Sequence, residues 1–152
     1  MRQYADILAF DRYGQLALIA EVKNKRGASS EWAARMRRNM FAHGFLPSAP
    51  FFLLALPDNF YLWKNTDRNL DIIEPTQKID PRPFLQPYYE SFGISLDNLT
   101  GRSFEFIVTS WLNQVLRAKS SKDLFGGSQD WLVSSGLFDK LIGGSLEVEV
   151  AV

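Results

Sequence analysis

The chain has 152 residues, no cysteine and one histidine, and its 17 basic and 17 acidic residues leave no net charge. The length suits a single domain with its own core. The lack of cysteine excludes disulfides, thiolate metal sites and cysteine nucleophiles, and one histidine excludes a multi-histidine metal centre within the chain. The N-terminus lacks the apolar core of a signal peptide, and the longest apolar run, 51–56, is too short to cross a bilayer. We therefore expect a globular, cytoplasmic protein without a membrane segment.

The first predicted element is a β-hairpin. Two apolar runs, 7–10 and 16–20, flank the segment 11–14, in which Asp favours the first position of a turn and Gly tolerates a positive φ at the last. Asp6 lies at the head of the first run, and the second run ends in Glu21-Val22-Lys23. The hairpin therefore has one acid at its start, and an acid and a lysine at its end.

Loop length decides whether these three side chains can meet. On a strand, Glu21 and Lys23 point to the same face, about 6.5 Å apart along the chain. A two- or four-residue loop pairs Asp6 with Ile19 and places it on that face, whereas a three-residue loop ending at Gly14 shifts the pairing by one and points Asp6 away. A β-bulge would correct that shift. Grouping of the three side chains therefore requires an even loop or a bulge.

A helix is predicted from residue 29 or 30 to residue 43, with a serine as N-cap and Gly44 as C-cap. Trp32, Met36 and Met40 recur at the spacing of one helical face and, with Ala33, form its predicted apolar stripe. Between residues 21 and 43, six basic side chains stand against two acidic ones. Such clustering suits a nucleic-acid surface, and a solvated helix face would produce it equally well.

The apolar run 51–56 lies between two prolines and predicts a central strand covered on both faces. Residues 60–63 predict its hairpin partner. A strand, a helix and a strand at this spacing predict a crossover connection. The strand 51–56 should therefore lie parallel to the strand that ends in Glu-x-Lys.

The remainder of the chain is predicted to be mostly helical. The polar stretch 64–83 is predicted as a surface connection, followed by helices over 84–92 and 103–118. One or two short helices, broken near Gly136, are predicted between 131 and 142, and the alternating segment 145–152 predicts an edge strand. The helix 103–118 has a wide apolar stripe, formed by Phe104, Ile107, Val108, Trp111, Leu112, Val115 and Leu116.

An acid, about fifteen residues and then Glu-x-Lys is a pattern that resembles the PD-(D/E)XK nuclease superfamily, which is built on the restriction-endonuclease fold. The likeness covers the first third of the chain closely, although the Pro of the motif is Ala5 here. It implies an α/β, restriction-endonuclease-like fold, in which a mixed β-sheet is flanked by helices. Residues 1–64 would form its core, and 65–152 its helical completion and edge strand.

The resemblance also implies an activity and a set of site residues. The activity would be hydrolysis of DNA phosphodiester bonds with Mg²⁺ or Mn²⁺ as cofactor. Asp6, Glu21 and the backbone carbonyl of Val22 would be metal ligands, and Lys23 would orient the attacking water and stabilise developing charge. DNA is the implied partner, and cleavage of both strands would suit a homodimer.

Further roles follow from the same likeness. In the family a first helix precedes the motif, and no residues precede it here to form one. The helix 103–118 is expected to occupy that layer, with Glu105 or Gln114 near the site. Candidates for a further supporting group are Arg35, Arg38 and Asn39, and candidates for nucleic-acid contact are Lys25, Arg26, Arg35 and Arg38.

Two alternatives stay open at this stage. The zero net charge and the missing first helix suit a non-catalytic nucleic-acid-binding or protein-interaction module of the same fold. In that case Glu-Val-Lys is a solvated strand end with cross-strand ion pairs. A structural protein that forms oligomers by exchanging the segment 131–152 is the other alternative.

Overall fold

A computed structural model describes residues 5–43, 46–66, 69–124 and 127–148. Within these ranges it contains six β-strands and five α-helices, together with short 3-10 turns. In chain order they are β1 Ile7–Phe10, β2 Leu16–Val22, α1 Ser30–His43, β3 Phe51–Ala55, β4 Phe60–Lys64, β5 Gln77–Ile79, α2 Arg82–Phe92, α3 Gly101–Arg117, α4 Asp130–Ser134, α5 Leu137–Leu141 and β6 Ser145–Val148.

The strands form one mixed sheet in the order β5-β4-β3-β2-β1-β6. Only β2 and β3 pair in parallel, and the other four pairs are antiparallel. Because α1 connects β2 to β3, the predicted strand–helix–strand crossover is confirmed. The α/β class and the mixed sheet flanked by helices are confirmed as well.

The turn between β1 and β2 is a three-residue loop. The N–H of Asp11 donates to the carbonyl of Gln15 at 2.8 Å, and the N–H of Gly14 donates to the carbonyl of Asp11 at 3.0 Å. Gly14 has a φ of 81°, a conformation that glycine adopts without strain. The loop therefore has an odd number of residues, and such a loop by itself shifts the register of β1 against β2 by one residue.

A β-bulge corrects that register. Phe10 pairs with Leu16, but the next pair along the hairpin is Ala9 with Leu18, so Ala17 is the extra residue on β2. Two residues of one strand facing one of its partner define such a bulge. The structure thus contains the correction that an odd loop requires, and that prediction is confirmed.

The two faces of the sheet have separate cores. On one face, Ala33 and Ala34 of α1 pack with Ile19 of β2. Helices α2, α3, α4 and α5 cover the other face. There the ring of Trp111 lies 5.0 Å from that of Phe84 and 5.5 Å from that of Phe60, measured between centroids. Helix α3 therefore lies on the face of the sheet opposite α1, and its correspondence to the first helix of the family stays a prediction.

The apolar stripe of α3 is confirmed in full, since all seven predicted residues are buried. The stripe of α1 is confirmed in part. Ala33 is fully buried, and Trp32, Met36 and Met40 are partly buried and pack against the core. Ala34 and the charged Arg37, which were not predicted, are fully buried as well. Small alanine side chains let the helix approach the sheet closely, which moves the wide residues to the edges of the contact.

The segment 64–83 is more ordered than predicted, because β5 pairs with β4 inside it. A three-residue strand has no side-chain periodicity that could reveal it. Helix α2 ends at Gly93 as predicted, and Gly136, with a φ of 86°, separates α4 from α5. β6 extends the sheet beside β1, as expected of an edge strand. The predictions for Gly44 and for 149–152 lie outside the described residues.

Within the described ranges, no helix is long and apolar enough to cross a membrane.

Arg37 is a fully buried cation that fastens the loop after β4 to α1. Its guanidinium donates to the carbonyl of Asn69 at 2.9 Å and to that of Thr66 at 2.6 Å. It also lies over the ring of Phe41, 4.8 Å from the centroid. A guanidinium whose side chain is fully buried needs acceptors inside the protein. Arg37 is therefore a structural residue rather than part of the basic surface of α1.

Replacing Arg37 by Met should lower the free energy of unfolding by about 2–4 kcal/mol, because two carbonyls lose their donors. Arg38→Met is the matched control, since Arg38 is exposed on the same helix and its loss should change stability by less than about 0.5 kcal/mol. Denaturant unfolding of both variants measures the difference. Equal stabilities would show that the buried cation does not hold the loop.

Gly144 is required by close packing of backbone at the start of β6. A Cβ added there would lie 1.9 Å from the carbonyl oxygen of Phe10 and 3.0 Å from that of Leu141.

Gly144→Ala should therefore push β6 away from β1 and lower the free energy of unfolding by about 1–3 kcal/mol. Hydrogen exchange should show the loss of protection in β1. Gly101→Ala is the control, because a Cβ at Gly101 meets nothing within 4 Å.

Candidate active site at the open end of the hairpin

The carboxylate of Asp6 lies at the peptide bond between Glu21 and Val22. Its Oδ2 accepts a hydrogen bond from the N–H of Val22 at 2.8 Å. The last backbone pair of the hairpin is Ile7 with Ala20, so continuing that register by one residue sets Asp6 opposite Glu21. Directly opposed residues of an antiparallel pair share one side of the sheet. The bulge thus brings the first acid of the motif to the second.

Asp6 has a structural task in this position as well. The N–H of Val22 lies beyond the last pair of β1 and β2, and the carboxylate takes the acceptor place that a longer β1 would fill. Within the described part of the chain, Oδ1 of Asp6 accepts no hydrogen bond. One oxygen of Asp6 therefore ends the strand ladder.

Glu21 and Lys23 are held by the parallel ladder between β2 and β3. Glu21 is 8 % exposed and pairs with Leu54, and the N–H of Lys23 donates to the carbonyl of Ala55 at 3.0 Å. The backbone thus stays extended one residue past the end of β2. Alternation then sends the side chains of Glu21 and Lys23 to the same face, that of Ile19 and α1.

The side chains at this point suit a hard divalent cation. Mg²⁺ takes oxygen ligands and keeps several waters, so it needs few protein groups. Asp6 and Glu21 supply two carboxylates, and the carbonyl of Val22 is the third ligand that the motif implies. Among the described residues, no group of three or more His, Cys, Asp or Glu side chains is placed to hold a metal. Two carboxylates and one carbonyl would suffice only for an ion that keeps most of its waters, as Mg²⁺ does.

The loop after Lys23 is anchored to the segment that precedes α3. The side-chain amide of Asn24 donates to the carbonyl of Leu99 at 2.8 Å, and Arg26 donates to the carbonyl of Leu96. Thr100 then caps α3 by accepting from the N–H of Ser103. The start of α3 is thereby held at the motif end of the sheet.

Asp58 holds the same loop from the other side, and its role was not predicted. Its Oδ2 accepts from the N–H of Gly27 at 2.8 Å, while its buried Oδ1 has no hydrogen-bond partner among the described residues. Nearby, the hydroxyl of Tyr61 donates to the carbonyl of Ala28 at 2.6 Å. Burial raises the pKa of Tyr61, and the charge of Asp58 acts in the same direction. Asp58 could have been predicted only from its place just after β3. Because β2 and β3 are parallel, residues that follow β3 lie at the same edge of the sheet as those that follow β2.

Most of the predicted basic residues contact the protein itself. Arg35 is exposed and pairs with Glu31 at 3.0 Å. Arg38 donates to Asn39 at 3.2 Å, also on the exposed side of α1. The ammonium group of Lys25 lies 5.2 Å from the ring centroid of Trp32. The roles of these residues at the metal site and toward nucleic acid stay predictions. Arg37, one of the six basic residues counted between 21 and 43, is buried and does not belong to the basic surface.

The two candidates on α3 lie apart. Glu105 is partly buried in the second turn of the helix, close in sequence to the anchored Leu99. Gln114 is nine residues further, or about 13 Å along the helix, and lines a small pocket with Tyr88 and Trp111. The helical rise separates the two side chains along α3, and the place of either one near the site stays a prediction.

Comparisons with protein-family models, with curated proteins and with solved structures found no significant match to the chain.

Replacing Asp6 by Ala should lower the free energy of unfolding by about 1–2 kcal/mol, because the partly buried N–H of Val22 loses its acceptor. Asp6→Asn keeps an acceptor oxygen and should lose less than half of that. Urea unfolding of both variants measures the difference. If Asn costs as much as Ala, the negative charge, rather than the hydrogen bond, is what stabilises the hairpin end.

Proposed function

We propose that the protein is a Mg²⁺-dependent nuclease of the restriction-endonuclease-like fold, which hydrolyses phosphodiester bonds in DNA. The observation that carries the proposal is the bulged hairpin, which brings the carboxylate of Asp6 to the backbone of Glu21 and Val22. An uncorrected three-residue loop would have turned Asp6 away. The order β1, β2, α1, β3, with β3 parallel to β2, agrees with the core that the motif implies.

The proposed roles follow from the position of each group. Asp6, Glu21 and the carbonyl of Val22 would hold the cation, which when bound neutralises charge on a phosphoryl oxygen and activates water. Lys23 projects from the next position on the face of Glu21. Its ammonium group orients the attacking water and stabilises the charge that develops on the phosphoryl oxygens. Because Glu21 is nearly buried, water competes less with its carboxylate for the cation.

DNA would reach the site along the loop and the first turns of α1. Lys25 and Arg26 follow Lys23 directly, and Arg35 and Arg38 lie on the exposed side of the helix. Because the net charge is zero, attraction to phosphates must come from this local arrangement and should weaken steeply with salt. Two copies of the chain would be needed to present one such site to each strand of a duplex.

A non-catalytic module of the same fold is the second candidate. The contacts of Arg26 with Leu96, of Arg35 with Glu31 and of Lys25 with Trp32 favour its protein-interaction form, because cations with partners inside the protein are less available to phosphates. In that case the carboxylate of Asp6 serves the strand ladder alone.

Cleavage assays test the proposal directly. The chain should cut single- or double-stranded DNA in Mg²⁺ or Mn²⁺ and fail to cut in EDTA. Glu21→Gln and Lys23→Ala should each reduce the rate by at least about a hundredfold, because each removes a group used in the transition state. Lys122→Ala, in an exposed turn elsewhere, is the matched control and should cut normally. Cleavage that survives both site variants contradicts the proposal.

Metal-dependent stabilisation separates the two candidates, and it forms part of the same experiment. A ligand that binds only the native state must raise its melting temperature. Millimolar Mn²⁺ or Mg²⁺ should therefore stabilise the wild type by several degrees and Asp6→Asn by much less. Identical melting temperatures with and without metal, at retained DNA binding, would favour the non-catalytic module.

A further inference from the structure

A second cleft lies at the opposite end of the sheet from the motif. It forms where the β1–β2 turn meets the start of β3, the end of β4 and helix α5, and its volume is about 660 Å³. β2 spans seven residues, so the cleft is roughly 20 Å from Glu21 along the strand. Clefts of 300–1,000 Å³ are the usual size for small-molecule sites. The lining includes Asp11, Arg12, Tyr13, Lys64, Asp139 and Lys140.

Positive charge exceeds negative charge in this cleft. Arg12, Lys64 and Lys140 line it, and none of the three forms an ion pair with a described residue. One of its two acids is engaged in the turn, because Oδ1 of Asp11 accepts from the N–H groups of Tyr13 and Gln15, each at 2.9 Å. Asp139 is the other acid. A hydrogen bond with the side chain of Tyr13 and the nearby charges of Asp11 and Asp139 raise the pKa of Arg12. The lining still has three cations against two acids, and such an excess of positive charge suits an anion.

An exposed aromatic ring borders the same cations. Tyr13 is 76 % exposed, and the guanidinium of Arg12 lies 5.2 Å from its ring centroid. Packing does not explain a ring at this position, since it contributes little to either core. In nucleic-acid-binding proteins, bases stack on aromatic rings while nearby cationic side chains neutralise the phosphates. Tyr13 and its cationic neighbours have this combination.

Two residues with a positive φ lie beside Lys64 in the cleft. Gly136 has a φ of 86°, and a Cβ there would make ordinary contact with the Nζ of Lys64, at 3.5 Å. Asn65, which also lines the cleft, has a φ of 59° and donates its N–H to the carbonyl of Pro50. Both residues adopt a conformation that β-branched or bulky residues avoid. The ammonium group of Lys64 lies 5.9 Å from the ring centroid of Phe51.

We propose that this cleft binds a phosphorylated nucleoside, with the phosphate among Arg12, Lys64 and Lys140 and the base on the ring of Tyr13. Asp139 accepts from a sugar hydroxyl or an exocyclic amine. The ligand is either a free nucleotide or the terminal unit of a nucleic-acid strand, since both present the same chemistry. The proposal is independent of the nuclease activity, because no residue of the motif takes part.

Binding is measured by calorimetry on the full chain carrying Glu21→Gln, so that hydrolysis cannot remove the ligand. The probes are a panel of 5′-mononucleotides, inorganic phosphate and a 5′-phosphorylated trinucleotide. The paired substitution Lys64→Gln with Lys140→Gln should weaken every probe by roughly tenfold or more. Lys78→Gln with Lys119→Gln, two exposed lysines outside the cleft, is the matched control and should leave affinity within twofold.

Tyr13 separates base stacking from simple charge attraction. Tyr13→Leu should weaken nucleotide binding by about tenfold, as for the loss of one stacked base. It should leave inorganic phosphate unaffected, and Tyr13→Phe should bind nucleotides like the wild type. Tighter binding of the trinucleotide than of mononucleotides identifies a strand end as the ligand, and the reverse identifies a free nucleotide.

Three results would overturn the proposal. The first is an equal loss of affinity in the cleft variant and in its lysine control. The second is that phosphate and nucleotides bind with identical affinities, and the third is that no probe binds at millimolar concentration. Nuclease activity is recorded on the same preparations with the natural Glu21. A protein that cleaves without binding nucleotides refutes only the cleft, and one that binds without cleaving refutes only the nuclease.

Discussion

The single extra residue in β2, Ala17, is the constraint on which both the core and the candidate site depend. The three-residue turn would otherwise slip β1 by one position against β2. Because side chains alternate across a sheet, that slip would turn Ile7 and Ala9 toward α1 and Leu8 toward α3. The bulge therefore decides two things together: which residues of β1 enter the larger core, and whether Asp6 stands opposite Glu21.

The motif end of the sheet is assembled from segments that are far apart in the chain. Asn24 is bonded to a carbonyl 75 residues away, and Gly27 to a carboxylate 31 residues away. These contacts hold the loop after Lys23 between the β3–β4 turn and the start of α3. Each anchor is a hydrogen bond to a neighbouring element rather than to the loop itself.

Charge is distributed unevenly along the sheet although it sums to zero. Asp6 and Glu21 lie at the end where β2 finishes, and Arg12, Lys64 and Lys140 line the cleft at the other end. Arg37 contributes to neither, since its guanidinium is buried against the loop after β4. Net charge is therefore a poor guide to binding surfaces in this protein, and the position of each charge relative to the sheet is a better one.

The sequence alone determined the parts that rest on local periodicity and spacing. Four features could be predicted because helix and strand periods act within a few residues. They are the seven-residue stripe of α3, the buried run of β3, the break at Gly136 and the spacing between an acid and Glu-x-Lys. Long-range packing decided the rest. Whether Asp6 faces Glu21 depended on a bulge with no sequence signature, Arg37 was buried by a distant loop, and Asp58 and the cleft exist only where separate segments meet. Such contacts join residues dozens of positions apart, and no local pattern encodes them.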